Sequence, residues 1–268
     1  MDYTIIKYPR TPHIEGSRLQ PGDEDLSQRS FSEIAGRHIV IEEKIDGANT
    51  AVSFNAEGEL LLQSRGHYLT GGYRERHYNL FKQWATIQRD LLWEALGCRY
   101  VMYGEWLYAK HSIYYDALPH YFMEFDILDR ETERFLDTPS RQAITSRLPM
   151  CSAAVLGEGT FSRMEDVLKY LGDSNYITAD HITHLRAAAE REGQDPDRIC
   201  RETDHRPLME GLYIKVEEGG AVVDRMKYVR ATFLQVVEKS RTHWLERPII
   251  PNGLMRPIDA LFLPTLEG

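Results

Sequence analysis

Between residues 79 and 96, apolar side chains recur at Leu80, Phe81, Trp84, Ile87, Leu91, Leu92 and Leu96. This three-and-four spacing lays one apolar stripe along a helix. Elsewhere the pattern shortens to runs. Residues 38–45 are apolar-leaning and rich in β-branched side chains, the run resumes at 50–54 after Gly47, and Gly58 separates it from 60–63. That order predicts strand, tight turn, strand, turn, strand. Residues 100–103 and 121–128 read as buried strands with acidic residues at or near their ends. Residues 211–216 and 221–229 read as a hairpin turning on Glu217-Glu218-Gly219-Gly220. Residues 1–36, punctuated by Pro9, Pro12, Gly16, Pro21, Gly22 and Gly36, predict strand and loop more than helix. From 138 to 205 the pattern turns helical: Thr138-Pro139-Ser140 has the form of a helix start, and 163–171 and 179–191 carry helical spacing. Strands, a helical insert at about 138–205, and strands again predict an α+β fold, antiparallel sheets flanked by helices.

Composition adds bounds. A chain of 268 residues, 42% hydrophobic and 27% charged, suits a soluble globular protein. We expect one domain over 1–268, with a short C-terminal tail at 231–268. No run approaches the roughly 20 apolar residues of a membrane span, and the first ten residues lack the apolar core of a signal peptide. The expectation is a cytoplasmic protein with no membrane partner. Cys98, Cys151 and Cys200 are widely spaced, which excludes a disulfide framework or cysteine zinc site and predicts buried reduced thiols. The net charge of -9 argues against indiscriminate coating of nucleic acid, although a local basic groove remains compatible with it.

The chemistry starts at Glu43-Lys44-Ile45-Asp46-Gly47-Ala48-Asn49. Alone, a lysine beside an Asp-Gly turn reads as a plain hairpin. A lysine amine can also act as a nucleophile, but only when neutral, so it needs burial or a nearby cation to help it lose its proton. Downstream come Ser64-Arg65-Gly66, Tyr103-Gly104-Glu105-Trp106, Phe122-Met123-Glu124-Phe125-Asp126, Glu210-Gly211-Leu212-Tyr213-Ile214-Lys215 and Arg225-Met226-Lys227. Each is weak singly: Glu105 reads as a partner of Lys110, Asp126 as a turn cap, Glu210 as a solvated turn carboxylate. Together, in this order, they outweigh the structural readings.

The ordered set resembles the covalent nucleotidyltransferase superfamily of DNA ligases, RNA ligases and mRNA capping enzymes. Within it, it is most similar to ATP-dependent RNA ligases of the phage and RNA-editing type. The resemblance runs over about 40–230, and Tyr8-Pro9-Arg10-Thr11-Pro12-His13 resembles a bacterial subgroup. It implies a nucleotidyltransferase (adenylation) domain in which Lys44 attacks the α-phosphorus of ATP, expels pyrophosphate and carries AMP as a phosphoramidate. AMP then passes to a 5′-phosphate end, which is joined to a 3′-OH end. It implies Mg²⁺ or Mn²⁺ engaged by Asp46, Glu105 and Glu210, directly or through waters. Phe125 would stack on adenine, and Glu43, Ile45, Asn49, Arg65 and Asp126 would lie beside the nucleotide or the accepting phosphate. Lys215, Arg225 and Lys227 would hold the α-phosphate, with Arg65 and Lys227 joining Lys44 in the chemistry. The last element departs from the family's Lys-x-Lys by placing Arg225 first; the register of Lys227 with Arg230 is the alternative.

Only 38 residues follow Arg230, too few for the OB-fold barrel that DNA ligases and capping enzymes carry, so no OB-fold is expected. The chain is then expected to work beside end-healing enzymes, a kinase or phosphatase partner that leaves a 5′-phosphate and a 3′-OH. The substrate expectation is RNA ends; a DNA nick ligase and a non-catalytic nucleic-acid-binding protein are the alternatives. Arg65, His67, Tyr68, Tyr73, Arg74, Arg76, His77, Tyr78, Lys82, Trp84 and Arg89 interleave cations with aromatics, as a surface for unpaired bases would. Trp84 and Phe81 equally fit a core face. His181-x-x-His184 is expected on a helix surface rather than on zinc.

Overall fold

The computed structural model describes residues 5–19, 28–233 and 247–264; Pro21, Gly22, part of the expected tail and the Arg74 side chain lie outside the described residues. Among the described residues, twelve strands form one sheet. They are β1 (His13–Ile14), β2 (Gln28–Arg29), β3 (His38–Lys44), β4 (Ala48–Phe54), β5 (Leu60–Ser64), β6 (Tyr100–Trp106), β7 (Phe122–Asp129), β8 (Arg134–Leu136), β9 (Cys151–Ser152), β10 (Val155–Thr160), β11 (Gly211–Glu218) and β12 (Ala221–Val229). The main path runs β10-β3-β11-β12-β8-β7-β6-β4-β5 and is antiparallel throughout. β1 joins β12 and β2, and β9 joins β7, in parallel. The fold is therefore a mixed one, a large antiparallel sheet with helices packed on it.

β3 and β4 are consecutive in sequence and separated by only Ile45–Gly47, yet they lie near opposite ends of the path. Residues from both still line one cavity, so the sheet curls until its ends face each other. The glycines of the motifs sit where backbones touch. A Cβ on Gly211 would stand 1.8 Å from the Tyr228 carbonyl oxygen, and one on Gly104 would stand 2.5 Å from the Phe122 ring. Glu210-Gly211 and Gly104-Glu105 thus place a carboxylate next to a point of close strand approach.

The expected helix at 79–96 is two helices, α1 (Asn79–Ile87) and α2 (Arg89–Leu96), broken at Gln88, whose φ and ψ of -87° and 10° leave the helical range. Their stripe is core: Phe81, Trp84 and Leu92 are fully buried, and Trp84 stacks on Phe81 and Phe122. The expected helical insert holds α3 (Thr138–Thr145), α4 (Met164–Leu168), α5 (His181–Arg191) and α6 (Pro196–Arg201), but also strand β10, which pairs with β3. Gly157 and Gly159 hid that strand; a Cβ on Gly157 would lie 2.3 Å from the Tyr170 ring, which would have to move. Of the three cysteines only Cys200 is buried; Cys98 is exposed and Cys151 partly so. Among the described residues no helix is long and apolar enough to cross a membrane.

Candidate active site

A cavity of about 470 Å³ opens between the facing ends of the sheet. Its wall takes Glu42, Glu43 and Lys44 from β3, Ile45–Gly47 from the turn, and Ala48 and Asn49 from β4. Arg65, Glu105, Phe125, Glu210, Tyr213 and Lys227 also line it. Ten of the thirteen residues singled out in the sequence therefore share this cavity: Glu43, Lys44, Ile45, Asp46, Asn49, Arg65, Glu105, Phe125, Glu210 and Lys227.

Lys44 ends β3, paired with Gly211, and its Nζ donates to Glu210 Oε2 at 2.6 Å. Glu210 is buried and on the lysine, not a solvated turn carboxylate. Burial pushes the Lys44 amine toward losing its proton, but Glu210, Glu105 and Asp46 together outweigh that and hold it above its ordinary value. The carboxylates respond in kind. Burial and the repulsion of Glu210 and Asp46, against the pull of Lys44, push Glu105 up to about 8. Burial likewise raises Asp46 and Glu210. Asp46 is oriented by backbone: its Oδ2 accepts from Ser112 N at 2.7 Å and Ile113 N at 3.0 Å, while its own N–H donates to the Tyr115 hydroxyl. Glu43 is engaged by the insert, accepting from Ser174 Oγ and from Asn175 N and Nδ2 at 3.0 and 2.8 Å. Lys110 does not meet Glu105; its Nζ donates to the His111 carbonyl at 2.9 Å, and burial pushes it down to about 8.

Asp126, Lys215 and Arg225 do not line the cavity. They lie behind its wall, in a buried cluster with Glu124, Arg141 and Glu42, the last of which also reaches the cavity. Lys215 Nζ sits 2.9 Å from Glu42 Oε2 and 3.2 Å from Asp126 Oδ1, with no exposed side-chain surface. Arg141 from α3 pairs with Glu42 and, at 2.8 Å, with Glu124. The Arg225 guanidinium lies 3.9 Å over the Phe135 ring and 4.0 Å from Asp126. Cross-strand register explains the division: Lys215 pairs with Arg225 and Tyr213 with Lys227. Residues two apart on a strand share a face, but only the nearer pair reaches the cavity. The alternative Arg230 does not line the cavity either, its Nη2 on Asp204 and its Nε on the Met209 carbonyl.

Sequence reasoning passed over Tyr8, Pro9 and Thr11 as site residues, yet all three line the cavity. β1 pairs with β12 at Lys227, and Lys227 N donates to the Pro12 carbonyl at 2.9 Å. The unusual Tyr8–His13 stretch was the available signal. Of the expected base-binding surface, Arg65, His67 and Tyr78 line the cavity. His77 is buried, as is Trp84, while Tyr73 is 79% exposed with Arg76 stacked on it at 5.0 Å. His181 is buried rather than on the helix surface, and its Nδ1 meets the Thr178 carbonyl; His184 pairs with Asp116.

The donor set suits a hard cation: the buried Glu210 and the part-buried Asp46 and Glu105 face one amine and are each pushed toward protonation. Among the described residues, no three His, Cys, Asp or Glu side chains converge closely enough to hold an ion by themselves. Such a cation would keep several waters.

A sequence model of the family described as RNA ligase matches residues 37–229. No curated protein matches the chain. Among solved structures, a mutant RNA ligase of Naegleria gruberi with ATP and Mn superposes with a TM-score of 0.53, at 17% identity, covering 86% of this chain and 58% of that one. An apo mutant of the same enzyme gives 0.55 at 16% identity, covering 89% and 59%, and a mutant with AMP and Mn gives 0.54 at 15%, covering 86% and 57%. These similarities establish a shared fold, and the chain spans less than two thirds of those proteins' length.

Proposed function

Since the chain belongs to the RNA ligase family, we propose that it is a single nucleotidyltransferase domain acting as an ATP-dependent RNA ligase with Lys44 as its nucleophile. The Lys44 amine attacks the α-phosphorus of ATP; the N–P bond forms, the bond to the β-phosphate oxygen breaks, pyrophosphate leaves and the amine gives up a proton. A 5′-phosphate oxygen of RNA then displaces Lys44 from AMP, leaving an adenylylated end. Attack by a 3′-hydroxyl on that end forms the phosphodiester and releases AMP.

The observation that carries this reading is the Lys44–Glu210 contact inside a cavity also lined by Asp46, Glu105, Arg65 and Lys227. Glu210 holds the resting amine and is the nearest acceptor for its proton. Asp46, Glu105 and Glu210 would hold Mg²⁺ or Mn²⁺ through water, which offsets their charge and makes the amine easier to deprotonate. Lys227 and Arg65 are the cations left on the cavity wall to meet charge developing on the α-phosphate. Phe125 offers a ring for the base. Asp126, Lys215 and Arg225 act at one remove, by holding Phe125 and the strand of Lys227 in place.

The test is self-labelling. Incubated with α-labelled ATP and Mg²⁺, the wild type should retain label on a denaturing gel and Lys44→Ala should not. No label on the wild type with either Mg²⁺ or Mn²⁺ would sink the proposal. Sealing of nicked duplexes with RNA or DNA strands at the nick then decides the acceptor.

A further inference from the structure

Three hydroxyls run in a line along one wall of the cavity. Tyr8 OH donates to the buried Asp126 carboxylate, Tyr213 OH lies 2.6 Å from Tyr8 OH, and Thr11 Oγ1 lies 2.8 Å from Tyr213 OH. Tyr8, Thr11 and Tyr213 all line the cavity, and Tyr8 sets the edge of its ring against Phe125, 5.1 Å between centroids. Tyr8 and Thr11 precede the span 37–229 that the family model covers.

A hydroxyl has one proton and two lone pairs, so this chain has one direction. Asp126 is a carboxylate held beside Lys215 at 3.2 Å and facing Arg225, and it can only accept. The proton of Tyr8 is therefore spent on Asp126, that of Tyr213 on Tyr8, and that of Thr11 on Tyr213. Although burial works to raise it, Asp126 stays below its ordinary value through Lys215, Arg225 and Tyr8. Burial and Asp126 hold Tyr8 well above its own, so Tyr8 keeps its proton. The Thr11 oxygen at the end of the chain is therefore left with lone pairs only.

We infer that this hydroxyl chain is the base-selecting edge of the nucleotide site: it accepts from a base bearing an amino group and rejects one bearing a carbonyl in its place. The inference rests on the proposed reading that the base lies on Phe125. An amino-purine nucleotide such as ATP gives the Thr11 oxygen a donor. A 6-oxo-purine nucleotide would set its oxygen against lone pairs, leaving both buried acceptors without a proton, at a cost of roughly tenfold or more in affinity. Tyr8 is a positioning residue in this scheme, acting through Tyr213 and Thr11.

Equilibrium binding of ATP and of ITP, its 6-oxo counterpart, to the full chain with Mg²⁺ tests the scheme by calorimetry, with Lys44→Ala in every protein so that no nucleotide is consumed and with that background serving as the wild type. The wild type should favour ATP by at least tenfold. Tyr8→Phe removes the anchor, so Tyr213 can donate to Thr11 and the Thr11 proton can turn outward. The preference should then shrink roughly tenfold, with ITP binding gained as ATP binding is lost. Thr11→Val should weaken ATP with no gain for ITP. Equal binding of the two nucleotides by the wild type overturns the inference, as does a Tyr8→Phe effect that weakens both alike, the mark of a packing role. Self-labelling separates the two readings. A preference for ATP without label leaves this inference standing and removes the ligase, whereas label without base preference removes this inference alone.

Discussion

Replacing Arg141 by Met deletes the central cation of the cluster behind the cavity. Arg141 is fully buried, pairs at 2.8 Å with Glu124 and also bonds Glu42. Glu42 keeps Lys215 at 2.9 Å, but Glu124 keeps only the hydroxyl of Ser152 at 2.6 Å. Burial already raises Glu124 above its ordinary 4.5, with Arg141 the strongest restraint on it. Without Arg141 the folded state takes Glu124 protonated. At pH 7 that requires loading a proton about 2.5 units above its ordinary value, at 1.36 kcal/mol each, a cost of about 3.4 kcal/mol. At pH 5.5 the same cost is about 1.4 kcal/mol. A carboxyl raised in the fold is harmless below its unfolded value and costs stability as pH climbs toward its folded one. The deficit of Arg141→Met in urea unfolding should therefore grow from pH 5.5 to pH 7.5, and a second substitution, Glu124→Gln, should flatten that growth. A deficit below about 1 kcal/mol at pH 7, or one that does not change with pH, would refute the charge-burial account, since broken buried pairs cost about 3–5 kcal/mol.

Two further outcomes follow from burial and close packing. His120, against the Trp84 ring at 5.2 Å, is pushed down to about 4 by burial, while its Nδ1 accepts from Phe122 N at 2.9 Å. It is neutral when folded and binds a proton when unfolded, so its contribution is complete above about pH 6.5 and falls away toward pH 4. Urea melts of the wild type and His120→Leu should show the wild type losing up to about 3 kcal/mol more between those limits; parallel pH profiles would count against it. Gly211→Ala drives a Cβ to 1.8 Å from a backbone oxygen of β12, whereas Gly172→Ala meets nothing within 4 Å. Thermal melting should find the first destabilised by about 3 kcal/mol or unfolded and the second within about 0.5 kcal/mol of wild type. Equal melting points would show that the strands part easily.

The motif order carried most of the site because each motif couples a chemical residue to a packing constraint visible in its neighbour. Glu210 precedes the glycine that β12 demands, and Glu105 follows the glycine that Phe122 demands. What escaped was anything decided by partners far along the chain. Whether Lys215 or Lys227 faces the cavity depends on how β11 and β12 meet β3 and β8, and local alternation is the same for both. Tyr8 meets Asp126 across 118 residues, a separation at which no periodicity speaks. The edge strand β10 was read as helix-rich insert because two glycines dilute its strand character, and the break at Gln88 left no trace in a stripe of apolar residues that simply continues through it.

Charge balance explains why the same residue types serve different ends on the two sides of the cavity wall. Behind it, Glu124 and Asp126, with Glu42 in the wall itself, face Arg141, Lys215 and Arg225, three against three. The balance lets those charges stay buried as scaffolding. In front, Asp46, Glu105 and Glu210 crowd around Lys44; burial and the neighbouring carboxylates raise Glu105 to about 8, and the three carboxylates tighten the hold of Lys44 on its proton. A bare triphosphate entering that space meets repulsion, and an amine so held cannot attack. In the proposed chemistry both obstacles yield to the same change, added positive charge at the carboxylates. On that proposal the resting site would stay closed to reaction until nucleotide and cation are present together. At the opposite wall, neutral hydroxyls with fixed directions need no such trigger: their anchor, Asp126, belongs to the balanced cluster and keeps its charge whether or not the cavity is filled.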